Sequence, residues 1–177
     1  MKLERYLILN KYLLSLFGFN KFPELRDKLA GTKEGFDSDG RSALVGVLIG
    51  LENLKVDFGE LLRYDEAIKE YSERLSQNRR ENITLKYFQY LAVLFAEIFL
   101  DRYFNRKPEL LSELNLFLEG YCQAEKISIS PFIESELKKL AYWMATGSGK
   151  TLIMHINYWQ FLKYNQELLL LSRENVT

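Results

Sequence analysis

The stretch Ala145-Thr146-Gly147-Ser148-Gly149-Lys150-Thr151 decides how the rest of the chain is read. Glycines at alternate positions let the backbone curl, so that successive N–H groups face an anion. A lysine and a hydroxyl residue follow at once, in the order of a phosphate-binding (Walker A) loop. In that pattern Lys150 reaches the β- and γ-phosphates of a nucleotide, and Thr151 offers a hydroxyl ligand to Mg²⁺. Thr146, Gly147, Ser148 and Gly149 supply the loop backbone, and the helix beginning near Lys150 turns its positive end toward the same point. One position departs from the strict pattern: Met144 stands where a glycine would open the loop.

The flanks of the loop give an order of elements. Leu140–Met144 is a short apolar and aromatic run, Thr151–Tyr164 has the length of a helix, and Leu168–Leu171 is a run of leucines between polar residues. Strand, glycine loop, helix and strand make the βαβ unit of P-loop proteins.

Upstream the sequence reads as helices. Leu3–Phe19 has apolar residues all along with little alternation and predicts a well-buried helix; Pro23–Leu29 starts with a proline where a missing N–H costs nothing. Gly31–Gly40 is a loop by composition, and Arg41–Leu51 is an apolar segment weakened by Gly46 and Gly50. Asp57–Asn78 reads as an amphipathic helix capped by Asp57, with Leu61, Leu62, Ile68, Tyr71 and Leu75 on its apolar face. Ile83–Phe104, capped by Asn82 or Thr84, is the most apolar helix, and Pro108–Lys126 follows with Pro at its start. The expected fold is mainly α: a helical N-terminal region, residues 1–130, then the first βαβ unit of an incomplete α/β domain, residues 131–177.

Composition narrows the function classes without choosing one. Lys plus Arg and Asp plus Glu balance at 24 each, so no global charge points to nucleic acid. The lone Cys122 excludes an internal disulfide and fits a reducing cytoplasm. No uninterrupted apolar run reaches the length of a membrane span; Tyr87–Phe104 comes nearest but carries Gln89, Glu97, Asp101 and Arg102. A cytoplasmic protein with no membrane partner is the expectation.

Trp143–Met154 resembles motif I of superfamily 2 helicases of the DEAD/DEAH type, in the version found in the motor subunits of type I and type III restriction enzymes. Leu168–Thr177 is similar to the strand leading into motif Ia, and Asp65–Phe104 looks like the region ahead of motif I. The resemblance implies a RecA-like lobe, ATP and Mg²⁺ as cofactors, DNA as the partner of a full-length relative, and a methyltransferase or nuclease partner subunit. It also implies that Gln89, in Leu85-Lys86-Tyr87-Phe88-Gln89-Tyr90-Leu91-Ala92, occupies the place of an adenine-reading glutamine, since one amide both donates and accepts. A polar residue on a helix surface is the alternative for Gln89. Ser172 and Arg173 fall where motif Ia would touch a DNA phosphate.

The acidic motif and arginine finger of that family would lie beyond Thr177. The expected property of these 177 residues is therefore ATP binding through the Walker A loop without turnover, as the N-terminal part of an ATP-dependent DNA helicase or translocase. The alternative is a non-catalytic helical binding module whose phosphate loop is a relic. His155 has no second histidine or cysteine positioned for a metal site, so it reads as structural or solvent-facing. Asp37-Ser38-Asp39-Gly40 fails as a calcium loop, because Arg41 takes the next ligand position.

Overall fold

Val93 through Arg102 are buried without interruption, although an amphipathic helix would expose every third or fourth residue. A helix buried on all sides must be the centre of its fold. In a computed structural model this segment is the middle of α5 (Tyr87–Asn105), around which the other helices gather. The structure describes residues 3–141 and 145–174, with side chains described for 5–141 and 145–166. A 3-10 turn (Leu3–Tyr6) precedes α1 (Ile8–Leu16), α2 (Phe22–Leu29), α3 (Ala43–Ile49) and α4 (Phe58–Arg79). After α5 come α6 (Lys107–Glu125), a 3-10 turn (Glu134–Lys138) and α7 (Lys150–Glu174). Helix α5 packs against α4, α6 and α7, most extensively against α7; α1 lies on α6, and α3 on α4. The buried apolar residues of all seven helices form one cluster.

Local chemistry sets most boundaries. Asp57 caps α4 by accepting from the Glu60 N–H at 3.1 Å, as its sequence position predicts. Pro23 sits in the first turn of α2. The long helix expected over Leu3–Phe19 is broken at Leu7, whose ψ of 64° leaves the helical region. At the far end of α1 the Phe19 N–H returns to the Leu14 carbonyl and the Gly18 N–H to that of Ser15, a Schellman closure. Gly18 takes φ 80° there, and a Cβ would stand 2.6 Å from the Asn53 Cβ, so the turn requires glycine. Helix α5 starts at Tyr87, four residues later than expected at Ile83. The Ile83 N–H is bonded instead to the Ser76 hydroxyl at 3.0 Å, and Gln89 caps the helix by accepting from the Lys86 N–H at 2.9 Å.

Buried polar groups lock the helices in register. Asp65 on α4 accepts from the Ser42 N–H, the Ser42 hydroxyl and the Tyr90 hydroxyl at 3.1, 2.6 and 2.6 Å, tying the start of α3 to α4 and α5. Asp101 on α5 accepts from the Tyr64 hydroxyl and from the guanidinium groups of Arg63 and Arg106. Burial, reinforced by these carboxylates, pushes the Tyr64 and Tyr90 hydroxyls well above their ordinary range, so both remain donors.

The mainly helical fold is present, but the expected βαβ unit is not seen. Among the described residues there is no strand; the one antiparallel bridge, Phe36 to Ser42, closes the glycine-rich loop before α3. Of the expected strand Leu140–Met144, Leu140 and Ala141 pair with nothing and residues 142–144 lie outside the described residues. Leu168–Leu171, expected as the second strand, belongs to α7. The reason is local: no glycine or proline occurs between Lys150 and Glu174, and leucine, glutamine and glutamate all favour helix. Four leucines in a row carry no periodicity that separates strand from helix. No described helix is long and apolar enough to cross a membrane.

Candidate functional site

The loop is built from its own hydrogen bonds and two backbone angles. The Ala145 carbonyl accepts from the Ser148 N–H at 3.3 Å and from the Ser148 hydroxyl at 2.7 Å, which folds the chain back on itself. Gly147 and Gly149 take φ 79° and 87°, a region costly for any residue with a Cβ. Left-handed positions are one component of an anion-binding nest, and Gly147 and Gly149 supply one on either side of Ser148.

Helix α7 starts at Lys150, directly out of this turn. Its first bonded amide is that of Ile153, which donates to the Gly149 carbonyl at 3.1 Å. Among the described residues, the N–H groups of Lys150, Thr151 and Leu152 have no acceptor, and no acidic residue lies in the first turn of α7 to offset its positive end. Lys150 and Thr151 are exposed, and Lys150 forms no ion pair among the described residues. Thr146 and Gly147 are exposed as well, while Ser148 and Gly149 are half-buried.

Gln89 approaches from the first turn of α5. Its side-chain Nε2 donates to the Ser148 carbonyl at 3.0 Å, across 59 positions of sequence, while its Oε1 accepts from the Lys86 N–H at 2.9 Å. A Cβ on residue 149 would stand 2.5 Å from that Nε2, so Gln89 lies against the loop backbone. Gln89, singled out as a base contact, is thus brought beside the nucleotide-phosphate residues 146–151. Thr151 is the single metal-ligand candidate among them, and no group of three His, Cys, Asp or Glu side chains able to hold an ion occurs among the described residues. A Mg²⁺ ion here would be held mainly by phosphate oxygens and water, as that ion prefers.

What sequence reading missed is the polar cluster that fixes α7 to α5. Glu97, fully buried, accepts from the Gln160 Nε2 at 2.5 Å, the Tyr164 hydroxyl at 3.0 Å and the Lys163 Nζ at 3.5 Å. Gln160 Nε2 also donates to the Val93 carbonyl at 2.9 Å, and Asn157 donates to Gln160 Oε1 at 2.7 Å. Burial raises the Glu97 carboxyl above its ordinary value, against the opposing pull of Lys163 and the hydrogen bonds. Gln160 and Tyr164 lie four apart, in line with Ile153 and Ile156 on the buried side of α7. The visible trace in sequence was a glutamate interrupting an apolar helix.

The remaining sequence features lie away from the loop or outside the described side chains. Asp37 Oδ1 accepts from the Asp39 and Arg41 N–H groups at 3.0 and 2.8 Å, closing the turn that ends at Ser42. His155 is exposed and Cys122 is a half-buried thiol. Ser172 and Arg173 lie in α7, and their side chains are outside the described ones. Two grooves, of about 520 and 320 Å³, lie along α6 and beside α4, and none of residues 145–151 lines either of them. No family model, no curated protein and no solved structure matches this chain.

Proposed function

We propose that residues 145–151 bind the phosphate tail of ATP with its Mg²⁺, as the phosphate loop of a helicase-type ATPase. The observation that carries this reading is the start of α7: three N–H groups without partners among the described residues, two left-handed glycines before them, and an exposed lysine and threonine at the first two helical positions. Lys150 supplies the cation for the β- and γ-oxygens, and Thr151 a hydroxyl for the metal. The wider role, a DNA-translocating motor working with a methyltransferase or nuclease subunit, rests on the resemblance of Trp143–Met154 and its flanks alone.

A second reading has an observation of its own. Helix α7 is packed on α5 through a buried polar cluster, where a RecA-like lobe would lay it on a parallel sheet. That favours a helical binding module in which the loop is a relic. Titration of a fluorescent ATP analogue against the parent chain and Thr151→Ala, with and without Mg²⁺, separates the two. Phosphate-loop binding predicts a saturable signal that Thr151→Ala weakens only when Mg²⁺ is present; absence of any signal from the parent chain favours the module.

A further inference from the structure

We propose that Gln89 is a positioning residue for the phosphate loop, an inference that rests on the nucleotide-binding role of residues 145–151. An amide recognises an adenine edge by offering its donor and its acceptor together, on the same side. Gln89 has its two ends on two backbone neighbours: Oε1 takes the Lys86 N–H at the start of α5, and Nε2 gives to the Ser148 carbonyl between the two left-handed glycines. Gln89 also lies in contact with Gly149, within 2.5 Å of where a Cβ would be, so it braces the loop from the α5 side. The single side chain therefore links the cap of the central helix to the peptide that shapes the loop. Turning toward a base would release both bonds at once, uncapping α5 and freeing the Ser148 carbonyl.

Two variants separate the roles. Gln89→Glu keeps the acceptor for Lys86 and loses the donor to Ser148; Gln89→Ala loses both. Amide hydrogen exchange at Ser148 and Ile153, the bonded amides on either side of the turn, reads the brace directly in the nucleotide-free chain. Both variants are expected to exchange there roughly three- to tenfold faster than the parent, the worth of one hydrogen bond. Only Gln89→Ala should also speed exchange at the start of α5, around Tyr90. In parallel, Mg²⁺-ATP, Mg²⁺-GTP and Mg²⁺-tripolyphosphate are titrated against the parent and Gln89→Ala, and all three should weaken by the same factor. Unchanged exchange at Ser148 and Ile153 in both variants overturns the proposal. So does a loss confined to ATP, with GTP and tripolyphosphate held as in the parent. If the parent binds none of the three while exchange quickens as expected, the brace stands and the nucleotide reading falls.

Discussion

Replacing Glu97 with alanine tests how firmly the loop-bearing helix is fixed to the bundle. The carboxylate has no exposed surface and accepts from Gln160, Tyr164 and Lys163. Without it Gln160 Nε2 keeps the Val93 carbonyl, and the Lys163 side chain, 37% exposed, returns to water. The Tyr164 hydroxyl has no such escape, and a buried donor left unmade costs about 1–3 kcal/mol. The lost methylene and the cavity add about 1 kcal/mol. Relief of the desolvated carboxylate offsets part of this, so the net loss is about 2 kcal/mol near neutral pH. Urea unfolding followed by circular dichroism measures it, with the slope unchanged. The pH dependence gives a second check. Burial raises the folded-state pKa of Glu97 above the ordinary 4.5, so the native protein binds this proton more tightly than the unfolded chain does. The group's linked stability is fully present below the ordinary value and is lost as pH rises through the folded one. The gap between parent and Glu97→Ala should therefore widen as pH falls from 7 toward 4.5. A loss below about 0.5 kcal/mol at pH 7, or a gap that narrows on acidification, would refute the reasoning.

Asp65→Ala strands three donors from Ser42 and Tyr90 in the interior and should cost about 3 kcal/mol or more in urea unfolding, whereas an exposed acid such as Glu73 removed from the same helix should cost less than about 0.5 kcal/mol. Gly149→Ala forces a Cβ into φ 87° and displaces the Gln89 amide. It should abolish measurable nucleotide binding while lowering the stability of the bundle by no more than about 2 kcal/mol, as read by parallel titration and unfolding.

Much of the helical order was legible because it depends on local chemistry. The Asp57 cap, the proline at the start of α2 and the all-round apolarity of α5 each act within a turn or two of sequence. The expected strands were not borne out: Leu168–Leu171 is helical, and the described part of Leu140–Met144 pairs with nothing. A strand exists only through a partner, and four leucines beside good helix formers satisfy their backbone within a helix when none is at hand. The loop residues were legible as a motif, and the start of α7 at Lys150 followed from the glycines before it. Gln89 stood out by its neighbours, yet its bond to Ser148 depends on the packing of α5 on α7, which no local pattern encodes. The Glu97 cluster was hidden for the same reason: its partners are 63 to 67 residues away.

The central claim is that Lys150 and the amides at the start of α7 receive a phosphate chain. Isothermal titration of Mg²⁺-ATP into the 177-residue chain, repeated with Lys150→Ala, tests it most directly. A charge-assisted contact is worth about 1.5–3 kcal/mol, so the variant should bind roughly 10- to 150-fold more weakly at unchanged unfolding midpoint, since Lys150 is exposed and unpaired among the described residues. Equal affinity of parent and variant, or no heat from the parent at millimolar ATP, would contradict it.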